Sequence, residues 1–213
     1  MNFKEFKKKI RKKIRKGFDN RNKKRLKNRD FSIICQNCIA GIIYNNLDLE
    51  FLSPTINMYL EADDYIKLCK KLKYYLNYEL KEIKTNNEFP VAQIDDIKIY
   101  GVHYKDFSEL NEAWIRRSKR VNYNNIFLIM TERDKCSYKD IVEFDRLPYK
   151  NKVIFVHKEM PEIKSAIYIK GTEFGYNMNG EMRSPTDYKS RISSKRFLDD
   201  FDYVSFFNRE RKK

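Results

Sequence analysis

From residue 31 onward, short apolar runs alternate with stretches whose apolar residues recur every three or four positions. The runs at 31–35, 91–94, 97–102, 126–131, 153–156 and 166–170 predict strands. Helices are predicted at 38–45, 63–77, 108–120 and 194–208, and after Ser137, where Ile141 and Phe144 would be buried. In 63–77, Ile66, Cys69, Leu72 and Leu76 share one face behind Asp63 as N-cap. In 108–120, Leu110, Trp114 and the following Val121 align, and Asp106 with Glu109 resembles a capping box. Asp95-Asp96 predicts a tight turn between two strands, and 171–191, with Gly175, Gly180 and Pro185, reads as loop. Strand–helix alternation of this kind argues an α/β fold of three layers, a mostly parallel sheet with helices on both faces.

The first 29 residues follow another rule. Phe3, Phe6, Ile10, Ile14 and Phe18 fall within an arc of roughly 120° on a helix, with lysines and arginines filling the gaps. Gly17 is the expected stop of this helix and 19–29 the expected polar linker. The chain thus divides into a basic amphipathic arm with linker, 1–29, and an α/β domain, 30–213. Charge sharpens the division. The net charge is +15, yet the arm holds 15 Lys and Arg against Glu5 and Asp19, while the body holds 30 against 28 acids. A reading of the whole chain as a basic nucleic-acid binder therefore fails. A helix apolar on one side and cationic on the other suits an anionic membrane surface. Docking on its own domain or a partner, and contact with nucleic acid, are the alternatives that periodicity does not separate.

No stretch reaches the roughly 18 apolar residues that span a bilayer, and no apolar run follows the N-terminal charges as in a secretory leader. Four cysteines do not make a disulfide scaffold, so a reducing compartment is the simplest setting. The expectation is a cytoplasmic protein, peripheral at the inner face of the cell membrane.

The reactive groups cluster after strands. His103 and His157, the two histidines, each follow an apolar run; Cys38 follows the first strand and opens a helix; Arg133 and Asp134 follow the strand ending at Thr131. Ligands of open parallel sheets bind beyond the carboxyl ends of the strands, so parallel strands would gather these groups at one edge. A thiol at a helix N-terminus has its thiolate favoured. Cys38 is thus a candidate nucleophile for acyl transfer with His103 as base, and Asn37 and Gln36 are candidate oxyanion donors. The plain alternative for Cys38 is a small core side chain. Arg133, Asp134 and His157 are candidate substrate contacts. Arg116, Arg117 and Arg120 at the end of one helix would hold a phosphate or carboxylate, or pair with the body's acids. Cys35 and Cys38 are formally a C-x-x-C, but Cys35 continues an apolar strand and no second metal-type pair exists, so neither a redox nor a zinc site is expected. Phosphate-loop, dinucleotide and serine-hydrolase motifs are absent.

The set FSIICQNCIAG (31–41), LSPTINMY (52–59), FPVA (89–92), HY (103–104), WIRRSKR (114–120) and TERDKC (131–136) resembles the bacterial family known as domain of unknown function 1919, often labelled exopolysaccharide biosynthesis protein. The resemblance runs from about Phe31 to Phe207. It implies an α/β domain working among capsule-type enzymes on a sugar or lipid-linked polysaccharide precursor. A looser similarity to Cys/His-type polysaccharide acetyltransferases implies acyl transfer, with acyl-coenzyme A as donor and Asn37-Cys38 after the first strand. That pattern has Asn-Asn-Cys followed by an aromatic and glycines; here Gln36 stands for the first Asn and Ile39-Ala40 follow. The alternative is a non-catalytic membrane-surface accessory protein that binds a polysaccharide synthase or lipid-linked sugar.

Overall fold

Successive residues of a strand point to opposite faces, and here each face meets its own core. A computed structural model describes residues 3–173 and 181–209, with residues 3–8 as backbone alone. Four strands, β1 (Ser32–Cys35), β5 (Ile126–Thr131), β6 (Lys152–Val156) and β7 (Ala166–Tyr168), pair in parallel in the order β1-β5-β6-β7. Ile34, Leu128, Met130, Ile154 and Val156 join one core with α3 (Ala62–Lys70), α4 (Leu72–Leu76), α5 (Phe107–Ser118) and α6 (Tyr138–Asp145). Ile33, Cys35, Phe127, Ile129, Val153 and Phe155 join the other, with α2 (Ile39–Leu47) and α7 (Tyr203–Phe207). Burial on both faces is why β1, β5 and β6 read as continuous apolar runs, whereas β7 at the edge leaves Ile167 exposed. The fold is α/β, with a mostly parallel sheet between helices.

Three further strands, β2 (Lys81–Ile83), β3 (Val91–Ile94) and β4 (Ile97–Tyr100), form a separate antiparallel sheet. Asp95 takes a positive φ of 51° in the β3–β4 turn, as the Asp95-Asp96 pair predicts. Segment 55–60 closes the free edge of β1: Thr55 Oγ1 accepts from the Cys35 N–H at 3.0 Å, and the Leu60 N–H donates to the Gln36 carbonyl at 2.9 Å. Tyr59 then pairs with Tyr100, which ties the small sheet to the large one.

Two of the three predicted caps form; Asp63 instead lies inside the first turn of α3, whose N-cap is Glu61 without a side-chain bond. Asp106 accepts from the Glu109 N–H, and Ser137 with Asp140 makes a reciprocal capping box. Two predicted elements of the body differ. The helix at 63–77 is two helices, because Lys71 leaves helical geometry (φ −131°, ψ 44°). The tail at 194–208 is a 3-10 turn (Phe197–Asp200) followed by α7, not one helix. Gly175 and Gly180 of the predicted loop lie outside the described residues.

The arm departs most. Helix α1 (Phe3–Arg25) runs straight through Gly17 and through most of the expected linker. A Cβ at Gly17 would meet nothing within 4 Å, so this exposed glycine forfeits only about 1 kcal/mol of helix propensity. Tertiary anchors hold the helix. Arg15 pairs with Asp199 at 2.5 Å and Asp19 at 3.0 Å, the Asn22 amide donates to the Tyr203 hydroxyl at 3.0 Å, and Arg25 pairs with Asp202 at 2.5 Å. Leu26 completes the attachment in the second core. Residues 19–26 are thus docked structure rather than a polar linker.

Candidate functional site

The carboxyl ends of β1, β5 and β6 lie side by side, and the chain leaves each of them through polar residues. After β1, Gln36 is fully buried and clamps the neighbouring strand. Its Oε1 accepts from the Thr131 N–H (2.9 Å) and hydroxyl (3.1 Å), and its Nε2 donates to the Arg133 carbonyl (3.0 Å). Asn37 Nδ2 donates to Thr131 Oγ1 (2.9 Å) and Asp134 Oδ2 (3.3 Å). Both amides are therefore occupied in joining β1 to β5. This corrects the expectation that they stand free as oxyanion donors.

After β5, Asp134 and Lys135 take successive positive φ values of 58° and 64°. Such backbone is unfavourable for residues other than glycine, though Asp tolerates it better than most. The turn is fixed by the Ala62 N–H on the Asp134 carbonyl (3.0 Å) and by Glu181, which accepts from the Lys135 N–H (3.2 Å). Arg133 donates to the Met182 carbonyl at 2.5 Å and lies 3.9 Å from Glu181. The Asp134 carboxyl is raised to about 6, chiefly by burial; Glu181 and Glu61 add to the rise, while the Asn37 amide and Arg133 oppose it.

Cys38 precedes α2 as its N-cap, with its Sγ 3.8 Å from the Met58 carbonyl. The helix end does not activate it. Burial and the Asp134 carboxylate push the thiol up to about 11, against the expectation of a favoured thiolate. Cys35 is wholly buried and pushed up to about 12. His103 does not come off a parallel strand, because β4 belongs to the antiparallel sheet. It is exposed, its backbone N–H bonds the Asn57 carbonyl at 3.3 Å, and among the described residues no hydrogen bond joins its ring to Cys38. The premise that four parallel strands deliver Cys38, His103, Arg133, Asp134 and His157 to one edge holds for three strands and fails for His103.

His157 does arrive there, with a partner that sequence spacing did not reveal. Glu132 Oε2 accepts from the His157 backbone N–H (3.2 Å) and lies 2.7 Å from ring Nδ1. With Nδ1–H donating to the carboxylate, Nε2 is left as a base. Beside Asp134 stands a second unpredicted group. Tyr59 and Tyr100 stack with centroids 4.5 Å apart and planes 3° from parallel. Glu61 joins them, accepting from the Tyr100 hydroxyl at 3.1 Å and pairing with Lys135 at 2.6 Å. Burial, the Tyr100 ring, and the Asp134 and Glu61 carboxylates push the Tyr59 phenol up to about 12. Tyr59 sits in the LSPTINMY stretch and Glu132 in TERDKC, so the motifs flagged the region without naming the residues.

The arginine patch lies elsewhere. Arg120 pairs with Glu50 at 2.6 Å, two residues before Asn122, whose N–H bonds Ser32 at the amino end of β1. Arg117 donates to the Tyr104 hydroxyl at 2.6 Å and covers the Phe51 ring. Arg116 is exposed on the same helix. Arg117 and Arg120 are engaged by the body, and among the described residues no hydrogen bond joins the patch to Cys38, Asp134 or His157. Among the described residues no group of three His, Cys, Asp or Glu is arranged to hold a metal, and no helix is long and apolar enough to cross a membrane.

A protein of Haemophilus influenzae, described as uncharacterized, is 38% identical over 185 residues, which is 87% of each chain. The family model described as domain of unknown function (DUF1919) matches residues 9–208, so the match begins inside α1 rather than at Phe31. With nearly the whole described fold inside that match, the chain belongs to the DUF1919 family.

Proposed function

We propose that this chain is an enzyme of surface-polysaccharide biosynthesis that transfers an acyl group from a thioester donor to a hydroxyl of a precursor glycan by acid–base catalysis. The observation that carries this reading is the pairing of two proton-handling groups on adjacent strand ends: His157 oriented by Glu132, and Asp134 with its carboxyl raised to about 6. His157 Nε2 takes the proton of the acceptor hydroxyl, and Glu132 stabilises the imidazolium that forms. The hydroxyl oxygen attacks the acyl carbon, the carbon–sulfur bond breaks, the departing thiolate takes the Asp134 proton, and the imidazolium of His157 passes its proton through solvent back to Asp134. The stacked Tyr59 and Tyr100, with Glu61 and Lys135 alongside, supply the aromatic face and polar groups that suit a sugar ring. Acyl-coenzyme A enters as a substrate, and Cys38 is a wall of the site rather than a covalent nucleophile.

The test is acyl transfer from labelled acetyl-coenzyme A to a capsule-type oligosaccharide. His157→Ala and Asp134→Asn are expected to lower the rate by roughly a hundredfold or more each, with Cys38→Ser close to wild type. An inactive Cys38→Ser beside an active His157→Ala would restore the thiol mechanism. No transfer by the wild-type chain would leave the non-catalytic accessory role as the better reading.

A further inference from the structure

The N-terminal helix is docked by its polar side and carries Ile10 and Ile14 of its apolar stripe outward, while Phe18 is half-buried under the Arg15 guanidinium. Side chains facing the body are Arg15, Asn22 and, half-buried, Arg11 and Asp19. Ile10 and Ile14 point away and remain 43% and 56% exposed. At about 100° per residue, this exposed pair lies roughly 110° round the helix from the docked side. Gly17 falls beside the pair, on the face where an added Cβ would meet nothing. The helix cannot roll to bury the stripe, because doing so would break the Arg15–Asp199 pair, in which Asp199 is 1% exposed, and the Asn22–Tyr203 bond. Lys12, Lys13, Lys16, Arg21 and Lys24 are also exposed.

From this arrangement we infer that α1 is a membrane-docking helix that inserts Ile10 and Ile14 among the headgroups of an anionic lipid surface. An apolar stripe held in water and rimmed by cations fits that occupant by charge as well as by polarity. A second copy of the chain fits poorly, since its own α1 presents the same positive charge and its body is nearly neutral. The docked helix also has a direction. Arg11 stacks over Tyr188 at 4.6 Å and donates to the Arg191 carbonyl, and the segment they belong to holds Arg133 through Met182. The amino-terminal half of α1 thus lies toward the carboxyl ends of the strands. Resting on the glycan-transfer reading, this makes a lipid-linked precursor the fitting acceptor, presented to the site from the bilayer.

The experiment is cosedimentation of the full chain with vesicles of phosphatidylcholine alone and of phosphatidylcholine with phosphatidylglycerol. Binding is expected to the anionic vesicles only. Ile10→Ser/Ile14→Ser, which leaves charge unchanged, should weaken it by about tenfold or more. Ile14→Trp should give an emission that shifts to the blue when anionic vesicles are added. Four results would each overturn the inference: no vesicle binding at low salt, full binding by the double Ser variant, binding of duplex nucleic acid that outcompetes vesicles, or a dimer that the double Ser variant dissociates. None of these depends on catalysis, so a failed transferase assay leaves the docking test intact.

Discussion

Replacing Asp134 by Asn should make the protein more stable near neutrality and less active. The carboxyl is buried among Glu181 and Glu61, and its proton affinity rises from an ordinary value of 3.8 to about 6. At about 1.4 kcal/mol for each tenfold change, ionising it in the folded state costs about 3 kcal/mol more than in the unfolded chain. The sign follows from proton counting. Between pH about 4 and about 6 the folded protein holds a proton that the unfolded chain has released, so stability falls as pH rises through that window. Above it the penalty is complete, and below it the penalty is absent.

Asparagine has nearly the same shape, tolerates a φ of 58°, and keeps an oxygen to accept from Asn37. Asp134→Asn should therefore gain up to about 3 kcal/mol at pH 8 and almost nothing at pH 3.5. In urea, with a slope near 3 kcal/mol/M, the pH 8 midpoint would move up by about 1 M. Unfolding curves of both proteins at pH 3.5, 5, 6.5 and 8 measure this directly. A variant that is less stable at pH 8, or whose gain is the same at every pH, would show that the carboxylate is comfortably solvated. The reasoning about this site would then be wrong.

Two other outcomes follow from the same burial arguments. None of the four cysteines should react quickly with a thiol reagent in the folded protein at pH 7, and all four should react in denaturant. Cys38 is raised to about 11, Cys35 to about 12, and Cys69 and Cys136 are raised as well; one fast-reacting thiol at Cys38 would contradict the geometry. Arg15→Ala should cost roughly 3–5 kcal/mol in unfolding by leaving the buried Asp199 carboxylate without its ion-pair partner, with only the Arg196 N–H to compensate it, whereas Lys12→Ala on the exposed face should change stability by less than about 0.5 kcal/mol. Equal effects would mean that α1 is not anchored as described.

The large sheet was legible because burial on both faces leaves an unbroken apolar run, and only a strand of a covered sheet needs one. Ile33 and Ile34 serve different cores, yet both must be apolar. The caps at Asp106 and Ser137 were legible because they are local chemistry. Lys71 breaks a helix whose stripe continues through Leu72 and Leu76, so periodicity saw no interruption. Gly17 misled for the opposite reason: a local stop signal was overridden by ion pairs to residues some 180 positions away. The Glu132–His157 pair joins two strands 25 residues apart and leaves no spacing motif. His103 was assigned to the shared edge on the assumption that its strand runs parallel with the rest, and the β3–β4 hairpin removes that premise.

What distinguishes the edge beyond β5 is that several unfavourable features coincide there. Two successive non-glycine residues hold positive φ, a carboxyl is buried beside two other acids, and a phenol is pushed out of its ordinary range by burial and by the same charges. A fold selected for stability alone would relieve them, since asparagine at 134 would remove the buried charge and glycine at 135 the strain. The surroundings instead hold them in place: Gln36 clamps Thr131 and Arg133, and Ala62 and Glu181 bond the turn. Strain maintained by that many contacts is the signature of a site whose geometry is needed for something other than folding. Cys38 lacks that signature, with a thiol turned to a backbone carbonyl and its proton held more tightly than usual. On the proposed reading the chemistry belongs with Asp134 and His157, and the thiol that stands out in the sequence is packing beside them.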